Sequence, residues 1–378
     1  MSPTLIMDFN RTVSRPLPQM GLMENEVGET HLLGWNLPAE DLIHIPEHWL
    51  KYQEPSPLQH YYLAFMYTLF TFIALFGNGL VIWIFCIAKP LRTPSNIFVI
   101  NLALCDFVMM AKAPIFIYSS INRGYQGHFL CQLFGVAGAF SGLGASATNA
   151  AIAYDRFSTI AKPFDGRMTY SRALFLIICI WAYTLPWGLL PLTEKWNRFV
   201  PEGYLTSCTI DYLSPTDETR AFIGIMFVIC YVIPVSLVIF FYSQIVSHVF
   251  NHEKALREQA KKMNVESLRS NQDANAQSAE VRIAKAAITI CCLFIASWTP
   301  YAVVAMIGAF GDRSLLTPGI TMIPAIFCKT VACFDPYVYA ISHPRYRLEL
   351  SKRVPCLGIN EKPPQTASET QSTTTTTA

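Results

Sequence analysis

Charge is what this chain lacks. Only 14% of its 378 residues are Asp, Glu, Lys or Arg, whereas soluble domains carry about a quarter. The net charge of +2 offers no basic field to a nucleic-acid partner. No spacing of His and Cys suggests a metal site. No inverted repeat or glycine-broken helix pair appears, which argues against a transporter. Residues 1–20 lack a continuous apolar run and a small-residue cleavage site. No secretory signal is therefore read there, and the first apolar helix is expected to act as its own signal.

Apolar sequence is abundant instead. The hydrophobic share is 52%, gathered into seven long stretches at 62–88, 96–121, 132–157, 173–192, 221–249, 283–309 and 317–341. Each is near or above the ~20 residues that a spanning helix needs. The expected fold class is an all-α membrane protein, a seven-transmembrane helix bundle. Residues 1–60 read as an extracellular tail, 61–342 as the membrane domain, and 343–378 as a cytoplasmic amphipathic helix with a Ser/Thr-rich tail.

The segments after helices one, three, five and seven hold 18 of the 28 lysines and arginines, and the outer tail with the other loops holds 8. The rich side faces the cytoplasm, so the N-terminus lies outside. That side carries the sequon Asn10-Arg11-Thr12, a glycosylation acceptor. Cys131 opens helix three and Cys208 lies in the fourth outer segment. Both face the oxidising side, and a disulfide between them is expected. The other cysteines fit as small apolar residues.

Residues 250–282 are polar, with charges of both signs at helical spacing. They read as cytoplasmic extensions of helices five and six with a flexible middle. The closing "TASETQSTTTTTA" is too poor in apolar residues to fold. It suits either a phosphorylation tail or a plain solvated end.

Ionisable residues inside a membrane are costly and usually functional. Helix one has Asn78, helix two Asp106 and Lys112, helix three Asp155-Arg156, and helix seven Lys329 and Asp335. Helix seven starts near Thr317, which puts Lys329 about 18 Å deep, near the bilayer middle. That amine can pair with a carboxylate, bind an ion, or exist as an imine, since desolvated lysines form Schiff bases readily. Lys112 lies at a similar depth. It either faces the bundle interior, where each cation disfavours the other, or snorkels to the outer side. Pro114, Pro186, Pro234, Pro300 and Pro336 fall inside helices, where each removes a hydrogen bond and can kink the chain.

Several motifs fall in register across the seven segments: Gly77-Asn78, "NLALCD" ending at Asp106, Cys131 with Cys208, Asp155-Arg156-Phe157, Trp181, "SWTPY" at 297–301 and "DPYVY" at 335–339. The chain resembles the rhodopsin-like G-protein-coupled receptors, with Phe157 and Asp335 in place of the usual Tyr and Asn. Lys329 lies six residues before Asp335, where opsins carry their retinal-binding lysine. "LGWNLP" at 33–38, "HIPEHW" at 44–49, "HEKALREQAKKMNVESLRS" at 252–270 and "HPRYRLEL" at 343–350 look like arthropod rhabdomeric visual opsins. "VMMAKAPIFIY", containing Lys112, looks like the helix-two segment of the insect ultraviolet type.

The resemblance implies retinal, 11-cis or a hydroxylated derivative, bound covalently at Lys329. Phe134 stands three residues after Cys131 and cannot serve as the helix-three counterion that vertebrate visual opsins use. Glu202, six residues before Cys208, matches the outer-loop counterion of invertebrate opsins; the bland alternative is a loop acid facing solvent. Lys112 is implied as the ultraviolet-tuning cation, and Trp298 with Tyr301 as chromophore neighbours. For coupling and switching, the resemblance implies Asp155, Arg156, Asp335, Pro336, Tyr339, His343, Pro344 and Arg345. It implies a Gq-type G protein, arrestin and a receptor kinase as partners. The setting is the plasma membrane and its lipid, in photoreceptor rhabdomeres. Cys356 is either palmitoylated or a plain cytosolic thiol. A non-signalling retinal photoisomerase and a receptor for a diffusible ligand are the rival readings. The intact Asp-Arg pair and "HPRYR" segment speak against the first.

Overall fold

The computed structural model describes residues 31–162, 166–263 and 271–359. Asn10 and the Ser/Thr-rich tail lie outside these residues, as does the middle of the third cytoplasmic loop. Seven long helices form one bundle: α1 (Pro57–Ile87), α2 (Asn96–Ala111, continued by Ala113–Ile121), α3 (His128–Ala161), α4 (Tyr170–Leu189), α5 (Asp217–Met226, then π-helical Phe227–Val232, then Ile233–Lys262), α6 (Asn271–Phe310) and α7 (Pro318–Ser342). A shorter α8 (Pro344–Arg353) follows. Six of the seven are long and apolar enough to cross a membrane. In α7 the apolar character is diluted by Lys329, Asp335, Pro324 and Pro336, yet it packs against α1, α2 and α6 as part of the same bundle.

All seven predicted stretches are helices, with different ends. α1 starts at Pro57 rather than 62, because Ser56 and Gln59 form a capping box around Pro57, which satisfies the first free N–H groups. α5 and α6 run past their apolar runs into the cytoplasm, to Lys262 and from Asn271. Helix two departs most from expectation. It breaks at Lys112, whose backbone N–H bonds Met110 O.

That break shows how the bundle accommodates its prolines. Proline leaves the carbonyl four residues earlier without a donor, and inside a membrane neighbouring groups must supply one. Pro114 frees Met110 O, which Lys112 N–H takes. Pro234 follows the π-helical turn and frees Cys230 O, to which Ser146 Oγ of α3 donates at 3.1 Å. Pro336 frees Ala332 O, to which Asn78 Nδ2 of α1 donates at 2.8 Å. Pro234 and Pro336 thus become seams between helices, whereas the carbonyl freed by Pro114 is taken within its own helix. A further polar ladder joins three helices: Trp181 Nε1 donates to Asn101 Oδ1 at 3.0 Å, and Asn101 Nδ2 to Thr148 Oγ1 at 2.7 Å.

The outer face is roofed. An antiparallel hairpin, β1 (Phe199–Glu202) with β2 (Ser207–Ile210), lies over the bundle with Glu202 opposite Ser207. Cys208 of β2 is disulfide-bonded to Cys131 of α3, as expected. Residues 31–52 pack above this roof. Leu33 N–H donates to Tyr52 O at 2.9 Å, His48 Nε2 contacts Leu316 O at 2.7 Å, and Trp49 is fully buried.

At the other end α8 docks on α1 through Tyr346, whose ring stacks on Phe85 at 5.3 Å. His343 caps α8: its Nδ1 accepts the Tyr346 N–H at 3.2 Å, which requires a neutral ring. Burial holds its pKa down at about 4, and the charges of Arg156 and Arg345 act the same way. Unfolded, the ring takes a proton near 6.5. The neutral cap's contribution is therefore present above about pH 6.5 and lost as pH falls toward 4. Hydrogen-exchange protection of the α8 amides should fall over that window. His343→Asn, a cap that does not titrate, should flatten the dependence.

Candidate functional site

Two lysines meet one acid beneath the hairpin. Lys112, Lys329 and Glu202 are 7%, 6% and 3% exposed, so all three have left water. The break in α2 aims Lys112 inward. Its Nζ donates to Phe134 O of α3 at 3.3 Å and lies 4.1 Å from the centre of the Phe134 ring. Lys112 therefore does not snorkel outward. Lys329 Nζ, coming from α7, lies 5.9 Å from the same ring and donates to Ala325 O at 2.5 Å. Phe134 thus presents its ring, a negative face in electrostatic terms, to both cations. Tyr67 of α1 stands beside Lys329 and stacks on Phe116.

Glu202 does not face solvent either. It accepts hydrogen bonds from Tyr301 at 3.0 Å, Ser207 at 3.2 Å and Tyr212 at 3.4 Å. Tyr301 also bonds Thr209 at 2.5 Å. Burial pushes the Glu202 carboxyl above its usual range, against the pull of Lys329, the Tyr301 and Ser207 hydroxyls, and Lys112. Ser207, Thr209 and Tyr212 did not emerge from the sequence reading. The signal was there: Ser207 and Thr209 share one face of a strand, and Glu202 opens the turn leading into it.

Two connected chambers run between the helices. One is lined by Lys112, Phe134, Glu202 and Lys329. The other, mostly apolar, extends toward α5 and α6 past Ser146, Phe227 and Tyr231. Gly142, Thr209, Trp298 and Tyr301 line both. The Trp298 indole lies on α3 at Gly142, where an added β-carbon would stand 2.5 Å from its ring. The two share a wall, and the buried primary amine of Lys329 lines the first while the second is mostly apolar.

The remaining predicted residues fall into two places elsewhere. Asp335 is buried against Asp106 of α2, and Pro336 packs on Gly77. At the cytoplasmic end Asp155 pairs with Arg156 and accepts from Ser95 Oγ at 2.9 Å. His343 and Arg156 line one small cleft with Ala286 and Ile290 of α6. Pro344 opens α8 and Arg345 follows it, exposed. Cys356 is exposed beyond α8. Tyr339 is in α7, but its side chain lies outside the described residues.

The profile of the "7 transmembrane receptor (rhodopsin family)" matches residues 77–339. The chain belongs to that family. It is 64% identical to "Opsin, ultraviolet-sensitive" of Apis mellifera over 351 residues, covering 93% of this chain and 94% of the relative. It is 60% identical to "Opsin Rh3" of Drosophila melanogaster, covering 92% and 91%. The crystal structure of squid rhodopsin superposes with a TM-score of 0.78 at 32% identity, covering 84% of this chain and 92% of that one. The protein is a light-sensing, multi-pass G-protein-coupled receptor of the opsin group, not an enzyme. Membership implies a retinal chromophore and coupling to a G protein.

Gly142 offers a direct test of the cavity wall. Gly142→Ala drives its β-carbon into Trp298. Overpacking of this kind costs about 1–3 kcal/mol, and the receptor's thermal unfolding midpoint should drop accordingly, with a changed tryptophan emission.

Proposed function

We propose that this receptor is an ultraviolet-sensitive visual opsin that holds retinal through a Schiff base at Lys329. The observation that carries the reading is the buried Lys329 amine, which lines a chamber shared through Trp298 and Tyr301 with a mostly apolar one. A site of this donor set fits the chromophore: one amine for its carbonyl, aromatic and aliphatic walls for its chain. When bound, retinal supplies absorption of light and a change of shape.

The protein's own residues do the rest. Lys112, a second cation on the same phenyl ring, opposes protonation of the linkage at Lys329. A neutral linkage draws less on the polyene electrons and absorbs at shorter wavelength, which is the basis of the ultraviolet reading. Glu202, held by Tyr301 and Ser207, is the available anion. Its pKa, raised by burial, limits how much negative charge it brings. Trp298 touches both chambers and transmits the change of shape to α6. Its cytoplasmic half swings at Pro300 and opens the cleft beside Arg156. Arg156 leaves Asp155 and receives the C-terminal helix of a Gq-type protein, a helix-in-groove contact. Asp335, Pro336 and Tyr339 carry the change along α7, and His343, Pro344 and Arg345 begin α8 at the edge of the cleft. A receptor kinase and arrestin then act on the Ser/Thr-rich tail. Asn10 is the glycosylation site and the rhabdomere membrane the location, in keeping with the insect relatives.

The test is spectroscopic. Purified protein reconstituted with 11-cis-retinal should absorb in the ultraviolet. Borohydride should trap the chromophore on the peptide containing Lys329, and Lys329→Ala should trap none. Lys112→Glu should move the peak into the visible. A visible peak in the unmutated protein refutes the ultraviolet assignment, and absence of a trapped adduct refutes covalent binding.

A further inference from the structure

Lys112 occupies a seat on α3 that no proposed role so far explains. A buried ammonium needs acceptors on every side. Here it has one carbonyl, Phe134 O at 3.3 Å, and one ring face, Phe134 at 4.1 Å. Its third neighbour is an empty place. A β-carbon added at Gly138 would stand 2.2 Å from Lys112 Nζ, so the amine fills the notch left by a missing side chain. Phe134 and Gly138 are four residues apart, on one face of α3. The break in α2 points the lysine stem at that face.

We propose that Gly138 and Phe134 are positioning residues that seat the Lys112 ammonium beside the chromophore cavity and so determine the spectral class. This rests on the reading of Lys112 as the tuning cation. The physical reason is the steep dependence of a Coulomb term on distance in a dry interior. A lysine displaced by an ångström or two still folds, because its stem is flexible, but it acts differently on a charge at Lys329. Gly138→Ala therefore moves the amine rather than unfolding the bundle. Phe134→Leu keeps an apolar side chain and removes the ring face. The lysine alone does not suffice: the same residue without the notch and the ring would sit elsewhere in the cavity.

The experiment compares the unmutated receptor with Lys112→Met, Gly138→Ala, Phe134→Leu and Gly138→Ala/Lys112→Met, each purified with 11-cis-retinal and titrated with acid while the visible band is followed. The pH at which that band appears should rise by about one unit or more in Gly138→Ala and in Phe134→Leu, in the same direction as in Lys112→Met. The double variant should match Lys112→Met alone. In the retinal-free protein, reductive methylation of Lys112 read by mass spectrometry should accelerate at least threefold in Gly138→Ala. If Lys112→Met shifts the titration while Gly138→Ala and Phe134→Leu leave it and the methylation rate unchanged, the seat is overturned and the tuning role of Lys112 stands. If the unmutated protein already absorbs in the visible and Lys112→Met changes nothing, the tuning reading fails and takes the spectral claim with it. The methylation arm then reports separately whether α3 holds the amine.

Discussion

Inside a bilayer there is no water to finish an unmade hydrogen bond, so every polar group must find its partner in the protein. Much of this architecture follows from that constraint. Asn78 exists in α1 as the donor that Pro336 withdrew from Ala332 O. Ser146 serves Cys230 O in the same way beside the π-helical turn of α5. At Pro336 and Pro234 the loosened helix is tied to a neighbour. The bends are thus held at fixed seams, and the cavity between α3, α5 and α6 keeps its walls although the helices around it are broken.

The same constraint shapes the site. Two amines and one carboxylate cannot all be neutralised pairwise, and the structure spreads the problem over several weak acceptors. Phe134 offers a carbonyl and a ring, Ala325 a carbonyl. The acid arrives from outside the bundle, carried on a hairpin that the Cys131–Cys208 disulfide pins to α3. Three hydroxyls hold Glu202 in place. Burial is therefore a property of the roof as much as of the helices. Residues 31–52 complete it by closing over the hairpin with the fully buried Trp49.

The spans and their direction were legible because hydropathy and Lys/Arg bias act on each segment alone. Lys329 was legible because its depth follows from counting residues along one helix. What could not be read depends on a second segment. The direction of Lys112 is set by a break in α2 and by an absent side chain at Gly138, 26 residues further along the chain. The sequence showed Pro114 as a possible kink, without telling which way it would turn the lysine. The hairpin was hidden because its strands are only four residues each and their pattern is buried on both faces at β1. The outer motifs "LGWNLP" and "HIPEHW" marked the family and said nothing of their work. In three dimensions they are the lid, with Gly34 at φ +83° turning the chain over Leu50.

The distribution of polar hooks along α6 bears on how such a receptor could move. At the level of the cavity, Thr299 meets Tyr231 at 2.5 Å and Tyr301 meets Glu202 and Thr209, while Trp298 rests on Gly142. All of these flank Pro300. Toward the cytoplasm, the Cys291 thiol of α6 lies 3.5 Å from Asn149 Oδ1 and 3.9 Å from Tyr242 OH. A thiol is a weak donor. Ala286, Ala287 and Ile290 of that half are buried and line the small cleft beside Arg156. These hydroxyl contacts of α6 gather around Pro300, where the proposed swing bends the helix, beside the Trp298 indole that lines both chambers.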